Sequence, residues 1–134
     1  MKQHLQIGYY LKKLDNLLTE GIRRIHESVN ITRLQWQLLN TVYVLEQANR
    51  SNLYAALEEF ADKETVDKAI QELKSRNLLE ETNLLILTDQ GKVLHNTCLK
   101  RQEAFRRRVM QQISDEEYLQ VLRVLEKMII NLEE

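Results

Sequence analysis

Not one of the 134 residues is proline, and only three are glycine. Proline breaks a helix interior by removing a backbone donor and clashing with the preceding turn, and glycine weakens it through backbone entropy. With both nearly absent, long uninterrupted helices are permitted along the chain, and the apolar residues use that freedom. Ile7, Leu11, Leu14, Leu18, Ile22, Ile25 and Val29 recur at steps of three and four, which predicts a first helix from about Gln3 to Ser28. Thr32-Arg33-Leu34-Gln35 has the spacing of a capping box, in which a threonine oxygen and a glutamine side chain satisfy backbone donors reciprocally. It opens a second helix whose buried face is expected to be Leu38, Leu39, Val42 and Leu45. The period breaks over Gln47-Ala48-Asn49-Arg50, and Ser51 is the expected N-cap of a short third helix with Leu53, Ala56, Leu57 and Phe60 on one side.

Ala61-Asp62-Lys63 then reads as a three-residue turn, with Asp62 capping a fourth helix from about Glu64 to Arg76 that buries Val66, Ala69, Ile70 and Leu73. Two short helices joined by a tight turn make a helix-turn-helix. Leu78-Leu79-Glu80-Glu81, Thr82-Asn83 and Leu84-Leu85-Ile86-Leu87 follow as strand, turn and strand, a small hairpin or wing. A fifth helix runs from Thr88-Asp89-Gln90-Gly91 to about Gln112, and Ser114-Asp115-Glu116-Glu117 is a second capping box opening a sixth. That last helix has one stripe of Tyr118, Val121, Leu122, Leu125, Met128, Ile129 and Leu132, with Leu119, Val124 and Ile130 outside it. The surplus needs a second apolar surface, and the same helix of another copy supplies one, so a homodimer is expected. The fold class expected is mainly α: a winged helix-turn-helix with a short two-stranded wing and long N- and C-terminal dimerisation helices. One domain spans 1–134, with the winged module in 31–90 and the helical dimerisation region in 1–30 and 91–134.

An apolar fraction of 43% with 29% charged residues is that of a globular chain and argues against disorder. No run approaches the ~18 consecutive apolar residues of a membrane span, so no membrane partner is expected. Met1-Lys2-Gln3-His4-Leu5-Gln6 lacks the apolar stretch of a secretory signal, which points to the cytoplasm and to a reduced thiol at Cys98. Enzyme readings find no parts. His4, His26 and His95 show no metal-ligand spacing, and there is neither a glycine-rich phosphate loop nor a nucleophile elbow. Paired acids such as Glu58-Glu59 and Glu133-Glu134 read as helix surface. No catalysis, metal or cofactor is expected.

Four phrases in this order resemble the multiple-antibiotic-resistance regulator (MarR) family of winged-helix transcriptional regulators. Ile31-Thr32-Arg33-Leu34-Gln35-Trp36-Gln37-Leu38-Leu39 is similar to the family's L-T-x-x-Q-W-x-x-L. Glu64-Thr65-Val66, followed by Leu73-Lys74-Ser75-Arg76-Asn77-Leu78-Leu79, resembles S-T-V and L-x-x-x-G-L-V. Leu87-Thr88-Asp89-Gln90-Gly91 matches L-T-x-x-G, and Ile113-Ser114-Asp115-Glu116-Glu117 matches L-S-x-E-E. The resemblance covers nearly the whole chain. It implies a two-fold dimer held by the first and last two helices, double-stranded DNA as partner, a fourth helix in the major groove and a wing at the minor groove. It also implies a small-molecule effector or a cysteine that changes the spacing of the two recognition helices.

The charges depart from that pattern. Residues 31–90 carry six cations and ten acids, a net −4, while residues 1–30 carry +2 and residues 91–134 carry +1. No basic residue lies from Asn77 through Gln90, so the wing lacks the Asp-x-Arg arginine of the family and offers Glu80 and Glu81 instead. Arginine is drawn into a narrow minor groove by its negative potential, and this wing has none to insert. On the fourth helix Lys63, Lys68 and Lys74 face Glu64, Asp67 and Glu72. The DNA-facing residues expected are Lys63, Thr65, Lys68 and Gln71, with Arg50, Ser51 and Asn52 holding backbone at the start of the third helix and Arg33 a further nearby cation. The alternative is a winged-helix protein that has lost ordinary groove binding and acts through protein–protein contacts.

Three further features admit two readings each. Lys100-Arg101 with Arg106-Arg107-Arg108 is either a nucleic-acid patch or a solvated face paired with Glu103 and the acids opening the sixth helix. Cys98 is either a redox sensor or, as its spacing from Leu94 and Phe105 favours, a core residue. Tyr9, Tyr10, His26, Trp36 and Tyr43 line either a ligand cleft or a seam, with Tyr10, His26 and Trp36 the residues singled out for an effector.

Overall fold

The computed structural model describes residues 6–133. Its elements are α1 (Ile7–Ser28), α2 (Arg33–Leu45), α3 (Arg50–Leu57), α4 (Lys63–Ser75), β1 (Leu79–Glu81), β2 (Leu85–Leu87), α5 (Asp89–Val109) and α6 (Asp115–Leu132). Gln3 and His4, at the expected start of the first helix, lie outside the described residues. No described helix is long and apolar enough to cross a membrane. The chain forms two compact units, one ending at Gln102 and the other beginning at Glu103.

The core lies in the first unit. Leu38, Leu39 and Val42 of α2 pack with Leu53 and Leu57 of α3, Val66, Ala69, Ile70 and Leu73 of α4, and Leu78, Leu79, Leu85 and Leu87 of the hairpin. At about 25 cal/mol per Å² of apolar surface removed from water, this cluster is the main force holding the helix-turn-helix to its wing. The hairpin is antiparallel, with Leu79 opposite Leu87, Glu80 opposite Ile86 and Glu81 opposite Leu85. Side chains alternate across a strand, so the leucines at 79, 85 and 87 face the core while Glu80 and Ile86 face out. Three residues, Thr82 to Leu84, connect the strands, so Leu84 belongs to the turn and not to the second strand.

Capping follows the sequence in three places out of four. Thr32 with Gln35 and Ser114 with Glu117 form reciprocal capping boxes, and Asp62 accepts from the Thr65 N–H at 2.8 Å. For α3 the expectation is corrected: Asn49, not Ser51, is the N-cap, and its side chain exchanges bonds with Asn52. Asparagine at both positions supplies an acceptor for each orphan donor, which is why the box closes without serine.

Two other expectations fail near helix ends. Leu45, the last residue of α2, is 47% exposed, and Glu46 ends the helix with a φ of 70°. Ala48 then turns back and pairs with Leu85 through two backbone bonds of 3.0 and 2.7 Å, and it enters the core in place of Leu45. The third helix ends at Leu57, so five residues and not three separate it from α4. Ala56 is exposed, and Phe60, now outside the helix, is 52% exposed with the Arg33 guanidinium 5.8 Å from its ring centre.

Both α1 and α4 end in Schellman motifs built on asparagine. Asn30 (φ 58°) and Asn77 (φ 59°) adopt the left-handed region. Ile31 N–H donates to the His26 carbonyl at 3.0 Å and Leu78 N–H to the Leu73 carbonyl at 2.9 Å. Asparagine tolerates this conformation through its short polar side chain, so it stands where a glycine is commoner.

In α1 the apolar stripe is half-buried from Leu18 to Val29 but exposed at Ile7, Leu11 and Leu14. In the second unit α5 gives way to a turn after Val109, short of the expected Gln112, which itself takes a φ of 61°. No residue of α6 is buried, and Leu119, Val121, Val124, Ile129 and Ile130 are exposed.

The Leu87-Thr88-Asp89-Gln90-Gly91 phrase has a steric cause. Thr88 Oγ1 donates to the Asn77 carbonyl at 2.7 Å and accepts from Gly91 N–H at 3.0 Å, locking the first turn of α5 onto the exit of α4. A Cβ on Gly91 would sit 2.1 Å from the Leu78 carbonyl oxygen. We expect Gly91→Ala to lower the unfolding free energy of the first unit by at least 1–3 kcal/mol, the usual cost of overpacking. Urea denaturation against a Lys92→Ala control measures it, and an unchanged midpoint would show that backbone can move to make room.

Candidate nucleic-acid interface

The helix-turn-helix presents the outer side of α4. Lys63, Glu64, Thr65, Lys68, Gln71 and Glu72 are exposed along it, while Asp67 and Lys74 are half-buried. Val66, Ala69, Ile70 and Leu73 hold the opposite face in the core, which fixes the rotation of the helix about its axis. Lys63 lies with its Nζ 5.7 Å from the centre of the Tyr54 ring. Ser51 and Asn52 stand in the first turn of α3, exposed, with the Asn52 side chain used in the cap. The seven expected DNA-facing residues are therefore gathered on α3 and α4, six of them exposed and one, Arg50, engaged.

Arg50 is the centre of an ion-pair network. Its Nε and Nη2 donate to the two Glu81 carboxylate oxygens at 2.9 and 2.8 Å, and Nη1 donates to Asp67 Oδ1 at 2.7 Å. Lys74 Nζ donates to Glu81 at 3.0 Å, and the Tyr54 hydroxyl donates to Asp67. The Arg50 and Glu81 side chains are 33% and 19% exposed, so the pair is shielded from water and salt more than a surface pair would be. The hydrogen bonds from Arg50, with burial opposing and Lys74 assisting, hold the Glu81 carboxyl down at about 2. Hydrogen bonds from Tyr54 and then Arg50 hold Asp67 below its usual range. Arg50 itself is raised, first by Glu81. In sequence Glu81 is only an acid of the wing, and the network is not legible there, because its members lie on α3, α4 and β1 and no periodicity links them.

The expected effector residues divide. Tyr10 is exposed and edge-on to Tyr9, sixteen residues and so roughly 24 Å along α1 from His26 at 1.5 Å per residue. His26 and Trp36 are brought together, with ring centres 6.2 Å apart. The unforeseen member is His95, which is stacked between Trp36 at 4.8 Å and Tyr43 at 4.0 Å and lies 2.9 Å by its Nε2 from Asn40 Oδ1. Trp36, Asn40 and Tyr43 stand at i, i+4 and i+7, one face of α2, and this spacing was the available signal. Burial holds both His26 and His95 below the usual imidazole range, with Arg33 adding to the effect at His26. The buried His26 Nε2 has no hydrogen-bond partner among the described residues.

Cys98 is fully buried, and burial pushes its thiol up to about 11, against the influence of Arg101 and Gln102. A protonated, inaccessible thiol is a core residue and not a poised nucleophile. The residues of the basic cluster make separate contacts. In the first unit Arg101 donates to Ser28 Oγ at 2.6 Å, and in the second Arg106 lies 6.0 Å from the Tyr118 ring centre. Among the described residues no ion pair involves Arg106, Arg107 or Arg108, so the pairing with Glu103 and the acids opening α6 is absent.

No protein-family model matches this sequence, and no curated protein does. Solved structures do resemble the fold. A variant of MepR from S. aureus bound to an oligodeoxyribonucleotide is 19% identical, with a TM-score of 0.72 over 97% of this chain and 100% of that one. A MarR family protein of Mycobacterium tuberculosis in complex with DNA is 16% identical, with a TM-score of 0.71 over 93% and 98%. BpsR of Bordetella bronchiseptica, whose DNA binding is regulated by 6-hydroxynicotinic acid, is 20% identical, with a TM-score of 0.68 over 96% and 97%. At these identities a likeness speaks for architecture, and the chain has the winged helix-turn-helix fold of the MarR-type regulators.

Proposed function

We propose that this protein is a cytoplasmic, homodimeric DNA-binding transcriptional regulator of the MarR family. The observation that carries the reading is the free outer face of α4, held rigidly by a core on its other side and flanked by the exposed start of α3. Lys63 and Lys68 contact phosphate, Thr65 and Gln71 read base edges in the major groove, and Ser51 and Asn52 hold backbone. Phosphate contacts release condensed counterions, at roughly 0.9 log units of salt slope per contact. Lys68→Gln is expected to flatten the plot of log affinity against log salt by that amount on any duplex, while Gln71→Ala alters sequence preference. Electrophoretic shifts on duplexes selected from a random pool measure both. Absence of any shift at about 20 mM salt, an ionic strength at which screening is weak, would favour the second reading, contacts with another protein, to which the acidic wing and the neutralised Arg50 lend support.

The dimer part of the proposal rests on exposed apolar faces. Ile7, Leu11 and Leu14 of α1, and Leu119, Val124 and Ile130 of α6, are apolar side chains left in water by a single chain. Contiguous surfaces of this kind mark protein contacts, and a second copy offers a matching one. Sedimentation at micromolar concentration should give twice the 16.0 kDa chain mass, and Ile130→Glu should shift the equilibrium to monomer. A wild-type monomer would overturn the assignment.

Effector binding is assigned to His26 and Trp36 together with His95 and Tyr43. Support comes from the unpaired His26 Nε2 beside three stacked rings, a setting suited to a planar ligand with one polar group. Trp36 is the only tryptophan in the chain and reports on the site directly. Saturable quenching of its emission by 6-hydroxynicotinic acid or benzoate, lost in His26→Ala, is the expected result. Unchanged emission with both at millimolar concentration would remove planar acids as the effector class.

A further inference from the structure

We infer that Glu81 is a specificity-determining residue that withholds Arg50 and Lys74 from the DNA backbone. The inference rests on the DNA-binding reading above and deepens it. A guanidinium fork binds a carboxylate and a phosphate with the same paired geometry. In this structure the fork of Arg50 is already filled: both its Nε and Nη2 are committed to Glu81, and Nη1 to Asp67. Lys74 is committed to the same Glu81 carboxylate. Two of the six cations between residues 31 and 90 are thereby cancelled within the protein.

The geometry makes Glu81 the critical acid. It is the only one of the two carboxylates that touches both cations, and it sits at the last residue of β1, beside the connection between the wing strands. Glu80, one residue earlier, points to the other face of the strand and takes part in no ion pair among the described residues. Phosphate attraction is independent of sequence, so every cation offered to it raises affinity for all duplexes alike. Silencing Arg50 and Lys74 lowers that common term and leaves discrimination to Thr65 and Gln71 on the exposed face of α4.

The test compares wild type, Glu81→Gln and Glu80→Gln on one selected and one random duplex across 20–200 mM salt, after thermal melts confirm each fold. The two variants change net charge equally, but only the first releases cations. For Glu81→Gln the salt slope should steepen by about 0.9 for each cation freed, with Glu80→Gln staying near wild type. If both cations are freed, Glu81→Gln loses roughly tenfold more affinity than wild type between 50 and 200 mM. Its affinity for random duplex at low salt should rise, and the ratio of selected to random binding should fall. The double variant R50Q/E81Q removes one charge of each sign and serves if the single variant melts early. It should lie about 0.9 above wild type in slope, since Lys74 alone is released. Equal slopes for Glu81→Gln and Glu80→Gln, with wild type binding DNA, overturn this inference alone. Absence of binding by wild type and Glu81→Gln at 20 mM salt overturns it together with the DNA-binding reading.

Discussion

Arg50 reaches from the first turn of α3 to Glu81 at the end of β1 and to Asp67 in the middle of α4, and the character of the module follows from that ion pair. A shared apolar core holds the same three elements together through non-directional contacts, and the Ala48–Leu85 backbone bonds anchor β2. The bidentate arginine–carboxylate pair adds a directional tie at β1, because its donors form a fixed fork. Lys74 and Tyr54 complete the network from α4 and α3. The wing is thus tied to the helix-turn-helix by the same groups that a nucleic acid would otherwise attract.

This arrangement reconciles two features that pull in opposite directions. The module has an open helix face, with α4 exposed along Lys63, Thr65, Lys68 and Gln71. It also has an acidic balance, and its wing carries Glu80 and Glu81 and no basic residue. A protein that reads sequence gains little from a strong common attraction to phosphate, since competing sites share it. With Arg50 and Lys74 neutralised internally, the DNA-binding reading proposed above leaves recognition to a small number of side chains on one helix face.

Outside the module, apolar side chains of α6 and of the early turns of α1 are exposed among the described residues. Exposed apolar faces of this kind are where protein contacts form. Buried histidines add a different kind of incompleteness. His95 finds Asn40 for its Nε2 and two rings for its faces, whereas His26 Nε2 has no partner among the described residues. Buried polar atoms without partners cost free energy and tend to persist where something else binds.

Much of the architecture could be read from the amino acids in order. The six helices, the hairpin, the capping boxes at Thr32 and Ser114, the Asp62 cap and the buried face of α4 all follow from short-range spacing, because a helix repeats every 3.6 residues and its ends have fixed chemical needs. Errors fell at helix ends: Leu45 closes α2 but is exposed, with Ala48 in the core through its pairing with Leu85, Phe60 lies beyond the end of α3, and Asn49 caps that helix in place of Ser51. The candidate surface was legible as a set of residues on α3 and α4. What the sequence alone determined, then, was which segments are helical and which sides of them are apolar. Only the tertiary structure decided which charges are free and which are spent, and that His95 joins Trp36 and Tyr43. Ion pairs and ring stacks join residues such as Arg50 and Glu81, or Trp36 and His95, that lie tens of positions apart, and no local rule of spacing records the distance between elements once they pack.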